Sequence, residues 1–212
     1  MQFDFRTLPA PERYKLLIGC VVPRPIALIT TIDAAGIVNA APFSFFNVMG
    51  NDPPAIVLGI EERPTGVPKD TVRNIRATGE FVVNLVDEAI ADPMNVCAID
   101  FPEGVDELAE AGLSAAPSVA VRPPRIAEAP VAFECKLMQE VPIGNRGRRL
   151  ITIGEILYCH IRDGIVDERC HVDPAKLKLV GRLGGSGYAK LSDRFAMPRI
   201  AYADWRGRKS AE

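Results

Sequence analysis

The sequence lacks an excess of charge, a long apolar run and a recognisable leader. Its 25 Lys and Arg residues nearly balance 27 Asp and Glu residues, which gives a formal net charge of -2. A nucleic-acid-binding protein needs a basic face for the phosphates, so we expect no nucleic-acid partner. No apolar run approaches the roughly 20 residues that cross a bilayer, and the N-terminus shows no charged start followed by an apolar core. These absences predict a cytoplasmic protein without a membrane partner.

Cysteine and histidine are also scarce. The five cysteines are odd in number and form no Cys-x-x-Cys pair, which argues against a disulfide framework and against a zinc ribbon. Both histidines directly follow a cysteine, in Cys159-His160 and Cys170-His171. Neighbouring residues of a strand point to opposite faces, so Cys159 and His160 do not readily share a metal ion. We expect no metal site, although the two pairs leave open a zinc-dependent hydrolase or a Cys–His nucleophile.

The rest of the composition is that of an ordinary globular domain. The chain has 212 residues, of which 48% are apolar and 25% are charged. That length suits one domain with a sizeable core, and no linker or internal repeat interrupts it. We predict a single domain over residues 1–212, with its core over about 15–195 and an irregular C-terminal tail.

Short apolar and β-branched segments predict most of the secondary structure. We predict strands or extended segments over residues 25–32, 37–41, 43–49, 55–60, 80–86, 131–141 and 149–161. We predict helices over 10–20 and 69–76, one or two more within 87–116, and a helical turn after 173. Hairpin loops fit residues 33–36 and 142–147, and strands do not alternate regularly with long helices. The sequence therefore predicts a mainly β fold, a β-barrel with helical insertions, rather than a doubly wound sheet.

The predicted helix start at Lys69-Asp70-Thr71 is a candidate phosphate site. A helix N-terminus exposes unpaired N–H groups and a positive partial charge. Lys69 adds a full charge and Thr71 adds a hydroxyl donor. The alternative is structural: Asp70 caps the helix and Lys69 is solvated.

Two further segments suit a flat heteroaromatic ligand. Leu28-Ile-Thr-Thr31 and Asn39-Ala-Ala-Pro-Phe-Ser-Phe-Phe-Asn47 mix hydroxyl and amide groups with aromatic and small residues. The alternative is an ordinary core packed by the phenylalanines. The glycines of Gly181-Arg-Leu-Gly-Gly-Ser-Gly-Tyr188 do not fit G-x-G-x-x-G, and no strand–turn–helix frame surrounds them. They permit close backbone approach to a flat group, or they form a plain loop.

Five segments stand in one order along the chain. They are Pro23-Arg-Pro-Ile-Ala-Leu-Ile-Thr-Thr31, Asn39-Ala-Ala-Pro-Phe-Ser-Phe-Phe-Asn47, Asp52-Pro-Pro54, Lys69-Asp-Thr-Val-Arg-Asn-Ile75 and Gly181-Arg-Leu-Gly-Gly-Ser-Gly-Tyr-Ala189. In this order they resemble the flavin-reductase-like, FMN-binding split-barrel family, and within it the flavoredoxin branch. The segment 87–130 and the stretch after Pro198 match no motif of that family.

The resemblance implies a six-stranded split barrel with Greek-key connections, a homodimer, and one FMN per subunit near the dimer interface. By position, Lys69, Asp70 and Thr71 lie near the FMN phosphate, and Asn74 follows one turn later. The ribityl chain and the ring are then lined by Thr30, Thr31, Ser44, Phe45 and Asn47. The residues that close over the ring or contribute at the interface are Gly184, Gly185 and Tyr188.

The resemblance also implies the activity. The hypothesis is hydride transfer from NADH or NADPH to the N5 atom of FMN, with no catalytic side chain because the flavin carries the chemistry. The electrons then pass to free flavin, a partner monooxygenase or a protein acceptor. The main alternative is a non-catalytic FMN carrier, or a partner-fed electron-transfer flavoprotein of the same fold.

Overall fold

The computed structural model describes residues 1–63, 66–102, 104–144 and 149–209. The strands are β1 Ala27–Ile32, β2 Val38–Phe43, β3 Phe46–Asn51, β4 Pro54–Glu61, β5 Glu80–Leu85, β6 Ala115–Ala116, β7 Arg125–Ile126, β8 Val131–Ile143, β9 Arg149–Ile161, β10 Val180–Arg182 and β11 Tyr188–Lys190. The helices are α1 Ala10–Cys20, α2 Asp70–Thr78, α3 Ala91–Val96, α4 Glu107–Ala111, α5 Pro174–Leu177 and α6 Tyr202–Lys209. No helix among these described residues is long and apolar enough to cross a membrane.

Seven of the strands form one antiparallel sheet in the order β2-β1-β5-β8-β9-β4-β3. The two edge strands, β2 and β3, are consecutive in the chain and are separated only by Ser44 and Phe45. Because the three residue steps from Phe43 to Phe46 span at most about 11 Å, the two edges of the sheet must lie close together. The sheet is therefore curled into a barrel. Within the described residues β2 and β3 form no ladder with each other, so the barrel stays split at this seam.

The barrel has apolar packing on both its inner and its outer surface. The interior cluster includes Ile29, Ile56 and Phe81, and α2 packs Val72 and Ile75 against it. Adjacent strand residues point to opposite faces, so Leu28, the neighbour of Ile29, belongs instead to a second cluster. The second cluster joins β1 and β2 to helices α3 and α4 and includes Ala40, Met94, Leu108 and Ile126. Strand β1 is consequently buried on both faces.

The predicted mainly β barrel with helical insertions is confirmed, and so are most of the element positions. The segment 43–49 is not one extended piece, because the chain bends at Ser44 and Phe45 to cross the seam before β3 begins. Strand β8 continues through Ile143 into the predicted loop over 142–147, of which residues 145–147 lie outside the described part. The predicted irregular tail fits residues 192–201, whereas Tyr202–Lys209 form α6. The residues of this segment are too polar to form the apolar stripe from which a helix is predicted.

Candidate functional site

A cavity of about 520 Å³ opens where the N-terminus of α2 meets the barrel. This first cavity is lined from β2 by Asn39, Ala41, Pro42 and Phe43, from the end of β4 by Glu61, Glu62 and Arg63, and from α2 by Lys69, Asp70 and Thr71. Its remaining wall is Cys97–Phe101 together with Glu107. The helical insertion between β5 and β8 therefore closes the cavity over the barrel surface.

The N-terminus of α2 presents uncapped donors to this cavity. Lys69 is the N-cap residue and makes no side-chain capping bond, so the first N–H groups of the helix have no side-chain acceptor. Asp70 does not cap the helix, contrary to the structural alternative. Its carboxylate pairs with Arg63 at 2.9 Å and with Arg73 at 2.7 Å. Lys69 instead holds its ammonium 5.9 Å from the centre of the Phe43 ring. These groups suit a bound anion.

A buried hydrogen-bond network fixes this helix start against the barrel. The Asn39 amide donates to the Thr71 hydroxyl at 3.1 Å and to the Thr31 hydroxyl at 3.4 Å. The Asn74 amide donates to the same Thr31 hydroxyl at 3.1 Å. All four side chains are buried, so each bond satisfies a group that burial would otherwise penalise. The network joins β1 and β2 to α2 and positions Lys69 and Thr71 at the cavity.

Burial raises the pKa of two groups that the insertion contributes. Burial raises the pKa of the Cys97 thiol to about 12, helped by the nearby charge of Glu107. Burial also raises the pKa of Glu107, whose carboxylate accepts the Ala40 N–H at 2.9 Å. Elsewhere in the wall, Glu61 is paired with Arg149 at 3.2 Å. The negative charge that faces a ligand is therefore smaller than the number of carboxyl groups suggests.

A second cavity, of about 370 Å³, adjoins the first and shares Pro42, Phe43 and Ala98 with it. Its other walls come from α1, from the seam and from the β10–β11 hairpin. They are formed by Tyr14, Ile18, Arg24, Ile26, Ser44, Met94, Arg182, Gly185 and Tyr188. The two cavities give the barrel a bipartite groove, with helix-terminal donors at one end and aromatic and cationic groups at the other.

The structure sorts the predicted site residues into two groups. Six of them line the groove: Lys69, Asp70 and Thr71 in the first cavity, and Ser44, Gly185 and Tyr188 in the second. The other six line neither cavity: Thr30, Thr31, Phe45, Asn47, Asn74 and Gly184.

Each of these six has a visible structural role or an exposed position; Gly184 lies next to Gly19 of α1 and accepts the Gly187 N–H at 3.1 Å. Thr31 and Asn74 belong to the network that positions α2. Thr30 is fully buried, and its hydroxyl donates to the Pro124 carbonyl at 2.5 Å. Phe45 packs against Gly59, while Asn47 is exposed and accepts a hydrogen bond from the next backbone N–H.

Several lining residues were missed by sequence reasoning. Arg24 and Arg182 lie inside the matched motifs, at Pro23-Arg24-Pro25 and after Gly181, so position in a motif was an available signal. Cys97, Glu107 and the rest of the insertion carry no local signal. Only the fold brings them to the groove, where Glu107 reaches Ala40 across 67 positions of sequence.

The Cys–His pairs occupy other regions. His160 lies 2.6 Å from a Glu134 oxygen, and His171 lies 3.3 Å from an Asp167 oxygen. Cys159 is exposed on β9, next to His160. In the parts of the chain that the structure describes, no three His, Cys, Asp or Glu side chains are grouped so as to hold a metal ion.

Known proteins resemble the chain over nearly its whole length. Residues 18–176 match the model of the flavin reductase like domain. An uncharacterized protein of Deinococcus radiodurans is 44% identical over 211 residues, which cover 96% of this chain and 92% of the relative. The structure of the 2-nitrobenzoate 2-nitroreductase of Pseudomonas fluorescens is 36% identical with a TM-score of 0.87, over 95% of this chain and 98% of that one. Nitrilotriacetate monooxygenase component B of Bacillus cereus is 30% identical with a TM-score of 0.89, over 93% and 98% respectively. The chain therefore belongs to the flavin reductase like family and is a split-barrel flavoprotein.

Proposed function

We propose that the protein is an FMN-dependent oxidoreductase that takes electrons from NADPH or NADH. The observation that carries this proposal is the uncapped N-terminus of α2, with Lys69 and Thr71 facing a cavity that continues into a second, aromatic-lined one. The first part suits a phosphate and the second suits a flat ring. The family assignment supports a flavin cofactor. The groove supports FMN in particular because its one helix N-terminus suits the single phosphate of that flavin.

The residues fit FMN in a definite orientation. The N–H groups of the first turn of α2, the Lys69 ammonium and the Thr71 hydroxyl would hold the phosphate. Arg63 and Arg73 neutralise the Asp70 carboxylate, so it does not oppose an anion there. Ser44, Gly185 and Tyr188 would flank the ring end. Thr31 and Asn74, also expected at the cofactor, act indirectly through the network that holds α2.

When bound, FMN supplies hydride acceptance from the nicotinamide and the onward transfer of electrons. The protein itself binds and orients the cofactor. The Cys97 thiol stays protonated at neutral pH because of its raised pKa. No side chain is assigned a proton-transfer role.

The proposal also includes the molecule that accepts the electrons from the flavin. A nitroaromatic acid is the substrate named for one similar structure, and a monooxygenase partner is implied by the name of another. We propose that electrons pass either to a small aromatic acceptor or to a partner monooxygenase. An FMN carrier without this activity remains the alternative that the first experiment separates.

The first experiment is a visible spectrum of protein equilibrated with FMN, desalted, and treated anaerobically with NADPH or with NADH. A retained flavin band that bleaches with either donor supports the reductase and identifies its preferred donor. A retained band that does not bleach favours a carrier or a partner-fed flavoprotein. Loss of the band on desalting contradicts tight FMN binding.

The phosphate assignment is tested by the Lys69→Ala, Thr71→Ala double variant. Loss of a charged donor and a hydroxyl donor is expected to raise the Kd for FMN by at least about tenfold, because each bond to a charged group contributes about 1.5–3 kcal/mol. Thr71→Ser keeps the hydroxyl and is expected to stay near wild type. Lys136→Ala, on the exposed side of β8, is the charge-matched control. Unchanged FMN affinity in the double variant removes the assignment.

We also propose that the protein is a homodimer. Several exposed apolar side chains lie on β3, β8 and β9, strands in the same half of the sheet order: Val48, Met49, Met138, Val141, Leu157 and Tyr158. Burial of such residues against a second copy would remove them from water. Light scattering after size exclusion gives the mass directly, and a monomer at micromolar concentration contradicts the proposal.

A further inference from the structure

Two arginines face each other at the mouth of the second cavity. Arg24 and Arg182 form an antiparallel bridge, in which each N–H donates to the other's carbonyl, at 2.9 and 2.8 Å. Residues paired in this way carry their side chains on the same face. The bridge therefore brings two guanidinium groups together, and like charges directly opposite each other are destabilising.

Arg24 is buried, with only 7% of its surface exposed, and its partners are neutral. Its guanidinium donates to the carbonyls of Ile18 at 2.6 Å and Leu183 at 3.1 Å, and to the Ser44 hydroxyl at 3.3 Å. A further bond goes to a carbonyl at the end of α1. These dipoles satisfy its N–H groups, but they do not supply a negative charge.

Arg182 is less buried than Arg24, but its side chain also bonds to neutral groups. Its guanidinium donates to the Gly185 carbonyl at 2.7 Å and to the Tyr188 hydroxyl, and it lies 4.5 Å from the centre of the Tyr188 ring. Among the ion pairs of the described residues, none joins a carboxylate to Arg24 or Arg182. Arg182 also lines a neighbouring cavity together with Asp92 and Glu88, and Glu88 is paired with Lys190 at 2.7 Å.

The cavity beside Arg24 and Arg182 suits a ligand that carries an anionic group on a flat apolar ring. None of its lining residues in the described part of the chain is acidic, whereas Tyr14, Tyr188 and Phe43 provide aromatic walls. An aromatic carboxylate that shares this cavity with the flavin ring would place its charge at the guanidiniums and its own ring between the flavin and the remaining aromatic walls. Arginine suits this role because its planar fork pairs with carboxylate and phosphate oxygens in a bidentate manner.

We propose that Arg24 and Arg182 form an anion site, which binds the carboxylate or phosphate of the molecule that exchanges electrons with the flavin. The identity of that molecule as a redox partner rests on the proposed function, whereas anion binding itself does not. The apolar walls favour an aromatic carboxylate. The phosphate of a nicotinamide nucleotide offers the same chemistry and is separated from it by experiment.

The test is calorimetric titration of the FMN-equilibrated protein with benzoate, and with benzamide as its neutral counterpart. Benzoate is expected to bind at least about tenfold more tightly than benzamide, because only the carboxylate makes charge-assisted bonds. Arg182→Gln should reduce benzoate affinity by about tenfold and leave benzamide unchanged, while Arg182→Lys keeps the charge and should lose only about threefold. Arg122→Gln, a surface substitution beside Glu80, is the matched control.

Competition by 2′,5′-ADP identifies the source of the anion. Displacement of benzoate by this nucleotide assigns the site to the electron donor, and a lack of displacement assigns it to an acidic acceptor; both outcomes support the site. Equal affinity for benzoate and benzamide overturns it. A parallel rise in the FMN Kd of Arg182→Gln also overturns it, because the anion would then be the flavin's own. Titration without FMN keeps the result interpretable if the flavin does not bind.

Discussion

The buried Glu134 carboxylate holds a long surface loop onto the barrel, and its removal has a calculable cost. Glu134 lies on β8 with none of its surface exposed. It accepts the N–H groups of residues 119–121, at 2.8, 2.5 and 3.2 Å, and contacts His160 at 2.6 Å. Burial alone would raise the pKa of Glu134, but the hydrogen bonds from His160 and from the loop outweigh it, so the pKa is lowered.

Glu134→Gln removes the charge and turns an NH₂ group toward donors that need an acceptor. Hydrogen bonds to a charged group contribute about 1.5–3 kcal/mol each, and the remaining amide oxygen preserves part of them. We therefore expect the free energy of unfolding to fall by about 2–4 kcal/mol. For a chain of this length that corresponds to a Tm lower by about 5–15 °C. Glu168→Gln, at an exposed position, should change the Tm little.

The pH dependence gives this prediction a second, independent readout. A carboxyl whose pKa is lowered in the folded state contributes stability above its unfolded pKa, about 4.3, and loses that contribution as the pH falls through the folded value. The difference in unfolding free energy between wild type and Glu134→Gln should therefore be full at neutral pH and shrink in acid below about pH 4. Urea unfolding at several pH values measures it, and hydrogen exchange of amides 119–121 should quicken only in the variant. A stability within about 0.5 kcal/mol of wild type, with unchanged amide protection, refutes the reasoning.

Two further predictions concern packing and reactivity. A methyl group at Gly154 would approach the Phe81 ring to 2.4 Å, so Gly154→Ala should lower the free energy of unfolding by about 1–3 kcal/mol in a urea titration. Gly19 lies in α1 with open space around it, and Gly19→Ala should instead raise stability by about 0.5 kcal/mol. Cys97 has its pKa raised to about 12, so its thiolate fraction is about a thousandfold below that of an ordinary thiol. Mass spectrometry after brief iodoacetamide treatment should find exposed Cys20 alkylated and Cys97 unmodified; equal labelling contradicts this.

The sequence predicts the barrel well where local chemistry decides. β-branched runs between turn residues mark the strands, and α2 begins after Lys69 and ends at Gly79, which has the left-handed φ of 70° expected of a helix-terminating glycine. The α6 helix was missed because its residues lack the apolar stripe by which a helix is recognised in a sequence.

The site is predicted less completely, for a reason visible in β1. Alternation tells which residues share a face, but β1 is packed on both faces, so polarity alone does not show which hydroxyl faces a ligand. Thr30 turns toward the proline-rich loop and Thr31 toward α2. Neither residue lines the two cavities, and their hydroxyls bond instead to elements around the groove. Their place at the cofactor stays a prediction from the matched motif.

The two ends of the groove differ in how far apart in the sequence their residues lie. The helix-terminal end is built from neighbours in sequence, Lys69 to Thr71, and needs only the Asn39 network to set its angle. The cationic end needs Arg24 and Arg182, which are 158 positions apart and meet only after the barrel has closed. A protein that bound the flavin alone would use the aromatic walls of the second end for the ring, but it would gain nothing from the uncompensated charge there. The cost of holding two arginines without a carboxylate is understandable if a second anion, separate from the cofactor phosphate, is part of the reaction. That difference is why the benzoate titration and the FMN titration should respond to different variants: Lys69 and Thr71 should govern FMN affinity, and Arg182 should govern the affinity for benzoate.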